Sequence, residues 1–185
     1  VASMALISNC QMIEITPQRF EKKYSFSLYD LERFESWQSG CGIVFHTAYP
    51  ERVVNNIYFE SPEWENHSEN LAGISQRSKC RLRWYGETTC PTKTRFEVKR
   101  RRNSIGDKLV QRISRGHLQL DSGGNHLYKE LRSLLEPEIR IILDQNNHPI
   151  LFNRYYRQYY STKDSLRLTV DTKLQFKSLS NSSVL

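Results

Sequence analysis

Charged and apolar positions alternate along several stretches of this chain, and the alternation has the period of a β-strand. In KCRLRWY, Lys79, Arg81 and Arg83 fall at every second position, with Cys80, Leu82 and Trp84 between them. Successive side chains leave a pleated backbone on opposite faces, so the spacing predicts a strand with one cationic and one apolar face. FEVKRRR sets Glu97, Lys99 and Arg101 against Phe96 and Val98, and RFEKKY groups Arg19, Glu21 and Lys23, which predicts a strand over 19–27. PILFNRYYRQYYS brings Tyr155, Arg157 and Tyr159 to one face, and SLRLTVDTKLQF sets Arg167, Thr169 and Asp171 against Leu166, Leu168 and Val170. RVVNNIYFE, over 52–60, is a further β-rich run with Asn56, Tyr58 and Glu60 on its polar side.

Helical spacing is rarer. Leu28, Leu31, Phe34 and Trp37 predict a helix over 28–37, closed by Gly40 and Gly42. Ser61-Pro62 reads as an N-cap followed by proline in a first helical turn. After Gly123-Gly124, a helix carries Leu127, Leu131, Leu134 and Leu135 and is disturbed at Pro137. Turns are predicted at Asn103–Asp107 and Asn146–Pro149. With no internal repeat, the expected organisation is an extension over 1–18, a single domain over 19–176 and a Ser-rich tail over 177–185.

Charge narrows the choice of partner. The 27 Lys and Arg against 20 Asp and Glu give a net charge of +7, which favours an anion: nucleic acid, a phosphorylated metabolite or acidic lipid. No apolar run approaches the roughly 20 residues a membrane-spanning helix needs, and no basic-then-apolar leader is read at the start. Cys10, Cys41, Cys80 and Cys90 have no Cys-x-x-Cys or zinc spacing. The expectation is a protein with free thiols in the cytoplasm, meeting a membrane's cytoplasmic face only through a partner chain.

The cationic faces admit two architectures. An α+β sheet could turn them to water and cover its apolar side with the helices. Alternatively, the strands could close into a barrel with a charged lumen. Cations facing one another across a lumen repel, so such a tunnel needs a polyanion inside it, and a phosphate chain is the best fit. Arg offers phosphate a planar two-pronged donor and Lys a compact charge. Carboxylates among them suit a divalent metal bridging to phosphate oxygens.

The segments RFEKKY (19–24), YPERVVNNIYFES (49–61), NLAGISQRSKCRLRWYG (70–86), FEVKRRR (96–102) and YYRQYYSTKDSLRLTVDT (155–172) together resemble the VTC-type polyphosphate polymerase domain, a branch of the triphosphate tunnel metalloenzymes. The resemblance runs from Arg19 to Phe176. It implies an α+β fold built on an antiparallel β-tunnel with flanking helices. It also implies a phosphotransferase that moves the terminal phosphate of ATP onto polyphosphate with Mn2+ or Mg2+. By position, Lys23, Arg81, Arg83, Lys99, Lys108, Arg157 and Arg167 would bind the phosphates, with Arg81, Arg83, Lys99, Arg157 and Arg167 as the catalytic set. Glu21 and Glu97 would hold metal or orient the cations, and Asp171 is a weaker candidate. For Glu97 and Asp171, an ion pair fixing Lys99 or Arg167 is an equal alternative. The resemblance further implies a closing strand with a metal-binding Glu beyond this point, where the chain has a Ser-rich stretch ending at Leu185, so the expected tunnel is incomplete at its C-terminal side. A triphosphate hydrolase of the same fold, or a non-catalytic polyphosphate or inositol-phosphate binding module, remains open beside the polymerase.

Tyrosines interleaved with basic residues also suit stacking on single-stranded nucleic acid, but barrel strands commonly use aromatics for packing, and no nucleic acid partner is expected. KRRRN resembles a nuclear-localisation run, yet Lys99 and Arg101 already belong to the strand face. The five histidines show no metal-binding spacing, and no nucleophile motif surrounds Ser104, Ser165 or the cysteines.

Overall fold

The computed structural model describes residues 14–16, 21–27, 29–102, 105–114, 118, 120 and 124–179. Among them, strands β1 (Glu14–Thr16), β2 (His46–Glu60), β3 (Gln76–Tyr85), β4 (Thr94–Arg102), β5 (Ile105–Ile113), β6 (His148–Ser161) and β7 (Arg167–Ser178) form one sheet. Its order is β1-β5-β4-β3-β2-β6-β7, and every neighbouring pair is antiparallel. Four helices accompany the described sheet: α1 (Tyr29–Gly40), α2 (Glu65–Leu71), α3 (Gly124–Leu134) and α4 (Pro137–Gln145). The class is the expected α+β with flanking helices, and the antiparallel β-tunnel that the resemblance implied takes the form of an antiparallel sheet that is not closed among the described residues. Among the described residues the sheet is open, with β1 and β7 at its edges.

Alternation divides the central strands into two unlike faces. Ile57, Phe59, Cys80, Leu82, Trp84, Phe96, Val98, Leu109 and Ile113 are buried against Leu127 and Leu131 of α3, Leu135, and Ile139 and Leu143 of α4. Gln111, fully buried on this side, donates to the Leu134 carbonyl at 3.0 Å and accepts from the Glu136 amide at 2.9 Å. It thereby ties β5 to the α3–α4 junction. Pro137 begins α4 rather than simply disturbing α3, because proline suits a first turn where its missing N–H is not needed.

Three local expectations are corrected. Residues 21–27 form no strand and are exposed, while 19 and 20 lie outside the described residues. The free side of β5 is taken instead by Glu14–Thr16, paired with Val110, Leu109 and Lys108; alternation without a neighbouring strand cannot satisfy a strand's backbone groups. The second correction concerns α1, which buries none of its residues: Phe34 packs locally on Phe26 and Trp37, at 5.6 Å and 5.8 Å between rings, and α3 and α4 cover the sheet. Third, α2 starts at Glu65 rather than at Ser61-Pro62. The Glu60 carboxylate accepts from the backbone amides of Ser61, Asn66 and His67, and the Ser61 hydroxyl from that of Glu65, so the capping groups precede the helix by a short turn. Of the turn expected at Asn103–Asp107, Ile105 to Asp107 belong to β5, and 103 and 104 lie outside the described residues. Residues 180–185 of the tail also lie outside them.

Candidate functional site

On the face turned away from α3 and α4, cross-strand pairing sets the cations side by side. Arg81 of β3 lies opposite Glu97 of β4 and Tyr58 of β2, Lys79 opposite Lys99, and Lys99 opposite Lys108 of β5. Arg83 lies opposite Arg95 and Asn56, and Arg95 opposite Arg112. Like charges directly opposite one another destabilise a sheet. Glu97, the carboxylate on this face among the described residues of β3–β5, relieves part of that repulsion.

Glu97 is buried, at 2% exposure, and every side of its carboxylate meets a cation. Arg81 reaches Oε2 with its Nε at 2.7 Å and a terminal nitrogen at 2.6 Å, and Lys108 Nζ donates to Oε1 at 2.7 Å. Arg83 stands 3.9 Å from Oε2. Burial alone would raise the Glu97 pKa, but Arg81, Arg83 and Lys108 outweigh it and hold the carboxyl at about 2. Lys108 moves the other way: burial lowers its pKa, as do neighbouring Arg81 and Arg83, although Glu97 opposes them. The cluster is thus a carboxylate outnumbered by its cations, which leaves local positive charge for an incoming anion.

Arg83 is more deeply placed than its neighbours. Its Nε donates to Asn56 Oδ1 at 2.7 Å and a terminal nitrogen to the Tyr155 hydroxyl at 3.2 Å. Asn56 in turn donates to Asn153 Oδ1 at 2.7 Å. Arg81 also donates to the Tyr58 hydroxyl at 3.4 Å. Asn56, Asn153, Tyr58 and Tyr155 thus orient the arginines. Parity identified the polar side of β2 and β6, but only the register Asn56↔Arg83 and Asn56↔Asn153 joins them to this network.

The remaining site residues read from the sequence are distributed as follows. Lys99 is exposed and lies 4.0 Å from Glu21, and Lys23 is exposed in the irregular segment 21–27. Arg157 donates to both oxygens of Asp171, at 2.5 Å and 2.6 Å, and its guanidinium lies 5.1 Å from the centre of the Tyr155 ring. Arg167 is exposed at the far end of the β6–β7 pairing, opposite Ser161. The structure therefore gathers Arg81, Arg83, Lys108 and Glu97, continues through Tyr155 to Arg157 and Asp171, and sets Arg167 apart.

The three carboxylates considered for metal do not converge. Glu21 faces Lys99, Glu97 is saturated by cations, and Asp171 is engaged by Arg157. No group of three or more His, Cys, Asp or Glu able to hold a metal ion occurs among the described residues. These carboxylates consequently do not fit a protein-built metal cage. Burial, followed by the charge of Glu60, pushes the Cys80 thiol up to about 12, away from a nucleophilic role. No helix among the described residues is long and apolar enough to cross a membrane.

The fold is thus an antiparallel sheet with a helix-covered apolar side and a cationic side. The VTC domain model matches residues 14–182, and the chain belongs to that family. Among solved structures, a Hippeastrum protein described as an adenylyl cyclase with a dominant triphosphatase activity is 17% identical, with 78% of this chain and 67% of that chain covered at a TM-score of 0.41. None of the curated proteins matches. Membership of the VTC family supports a function related to polyphosphate or triphosphate.

Proposed function

We propose that this chain binds a nucleoside triphosphate and a polyphosphate end on the cationic face and transfers the terminal phosphate of ATP to the polyphosphate. The observation that carries this reading is the convergence of Arg81, Arg83 and Lys108 on the buried Glu97, with Lys79, Lys99 and Arg95 beside them in register. In the transfer, the bond between the terminal phosphorus and its bridging oxygen breaks. A terminal polyphosphate oxygen forms the new bond to phosphorus, and ADP leaves. Little covalent work is asked of the protein in such a step, because alignment and neutralisation of charge supply most of the rate enhancement.

Arg81 and Lys108 are the partly exposed members of the cluster, and they contact the phosphates in this reading. Glu97 is a positioning residue that fixes the direction of both side chains. Arg83, buried behind them, contributes charge through its fixed guanidinium. The cofactor in this reading is a divalent metal, Mn2+ or Mg2+; because the described carboxylates do not form its cage, phosphate binding and alignment fall to the cations alone. A second reading, a polyphosphate-binding module without turnover, is favoured by the saturation of Glu97 and the pairing of Glu21 and Asp171 with basic residues.

Incubation with ATP, a short polyphosphate primer and manganese separates the outcomes. Longer phosphate polymers on a gel are the expected result. Release of orthophosphate without elongation would identify the hydrolase, and calorimetric binding of tripolyphosphate without either product would identify the binding module. No binding of tripolyphosphate at low salt would overturn the anion-binding assignment.

A further inference from the structure

Beyond the Glu97 cluster, the same sheet face changes character. On β3 the series Arg81, Arg83 continues to Tyr85; on β6, Tyr155 and Arg157 continue to Tyr159. Two-residue steps along a strand keep one face and advance about 7 Å. The rings therefore follow the phosphate-facing cations along the strands.

Arg52 of β2, paired with Arg157, joins these tyrosines. Its guanidinium carbon lies 4.9 Å from the Tyr49 ring centre, 5.7 Å from that of Tyr159 and 5.9 Å from that of Tyr85. Tyr49 and Tyr159 meet edge to face at 5.7 Å, with 86° between their planes. On the other flank, Arg95 stands 5.5 Å from the Tyr85 ring centre. These cation–π contacts hold the rings in place, yet Tyr49 keeps 54% of its surface exposed. Phosphate binding alone has no use for an exposed, braced aromatic ring. A flat, neutral heterocycle attached to a phosphate chain does, since bases stack well on tyrosine rings and guanidinium planes.

We propose that Tyr49, Arg52, Tyr85 and Tyr159 form a stacking platform for the base of the nucleoside triphosphate whose phosphates occupy the Arg81–Lys108 region. The platform gives a nucleoside triphosphate an advantage over inorganic tripolyphosphate, and Tyr49 is its outermost ring. This inference rests on the triphosphate-binding reading and adds the part of the substrate that distinguishes ATP from a bare phosphate chain.

The test is calorimetric titration of the full chain with ATP and, separately, with tripolyphosphate, for the wild type, Tyr49→Ala and Tyr49→Phe. Tyr49→Ala should weaken ATP binding by about tenfold, within the range of a lost base–aromatic stack, and leave tripolyphosphate binding unchanged. Tyr49→Phe, which keeps the ring, should restore ATP affinity. Tripolyphosphate affinity also reports that the variant is folded. In the wild type, the adenine H2 and H8 resonances should move upfield on binding, as protons placed over an aromatic face do. Equal weakening of both ligands, unchanged ATP binding in Tyr49→Ala, or absent upfield shifts would overturn the platform. Failure of the wild type to bind tripolyphosphate would instead overturn the triphosphate-binding reading on which it rests.

Discussion

Phe96 and Glu97 are chain neighbours, are almost equally buried and belong to opposite worlds. Phe96 packs among Phe59 and the helix leucines, whereas Glu97 lies among Arg81, Arg83 and Lys108. The apolar face is complete in itself, because Leu127, Leu131, Ile139 and Leu143 remove it from water. On the charged face, the buried acid is outnumbered by its cations, and the excess is what an anion can use. One strand thus carries a face closed by helices and, in the proposed reading, a face open to an incoming anion.

The largest effects should come from that pair. Phe96→Ala should cost about 3–5 kcal/mol in urea denaturation, the usual loss for a buried aromatic, and the loss should be insensitive to salt and to tripolyphosphate. Glu97→Ala should cost a similar amount, about 3–5 kcal/mol, because it leaves buried cations unpaired. In that variant tripolyphosphate should recover part of the loss. Measured against wild type with tripolyphosphate present in both, the deficit of Phe96→Ala should be unchanged and that of Glu97→Ala should shrink; a shrinking deficit in Phe96→Ala, or an unchanged one in Glu97→Ala, would break the contrast between the faces.

Acid titration sharpens it next. The Glu97 carboxyl titrates near 4.5 in the unfolded chain and at about 2 in the folded one, so its contribution is complete above pH 4.5 and is lost as pH falls towards 2. The wild type should lose about 3 kcal/mol through this group over that window. Glu97→Gln should make the slope in stability across this window shallower by that group's share, with Asp30, Asp107 and Asp144, whose pKa values are also lowered, keeping theirs, while Phe96→Ala should keep the wild-type slope.

Smaller effects belong to ligand binding. Arg81→Ala should weaken tripolyphosphate binding by about 1.5–3 kcal/mol, the range for a charge-assisted hydrogen bond. Arg100, whose side chain pairs with Asp107 on the opposite parity of β4, provides the control. Arg100→Ala should change binding and stability by no more than about 1 kcal/mol. Equal losses from the two variants in calorimetry would sink the assignment of the anion to the Glu97 face. For the wild type, tripolyphosphate at a hundredfold excess over its dissociation constant should add about 2.7 kcal/mol of stability.

Period-two alternation made the two faces of β3 and β4 legible in the sequence, because a half-buried strand has few other ways to distribute its residues. The same signal failed over 21–27, where the neighbouring edge was already taken by Glu14–Thr16. It also missed β5: Ile105–Ile113 mixes Gly106, Asp107 and the buried Gln111 into its pattern, and only pairing with β4 on one side and β1 on the other explains it. Arg81 and Arg83 could be read as co-facial cations, whereas Lys108 entered only through the resemblance, and its place on β5 beside Lys99 comes from the register. The common focus of the three could not be read, since whether Glu97 meets metal or arginine depends on register across three strands. Arg52 escaped notice because its partners Tyr49, Tyr85 and Tyr159 come from three strands and a bulged register separates it from Tyr49.

The hydrogen bonds from Arg83 to Asn56 and from Asn56 to Asn153 have a direction. With the Asn56 carbonyl held by the guanidinium, its amide hydrogens must turn towards β6, and the Asn153 carbonyl must turn back to meet them. The two carboxamide dipoles are therefore aligned head to tail, each with its positive end away from β3. This file thus ties the Arg83 guanidinium on β3 to β6 by way of β2, so a change in the set of the arginine is passed to the strand that carries Arg157.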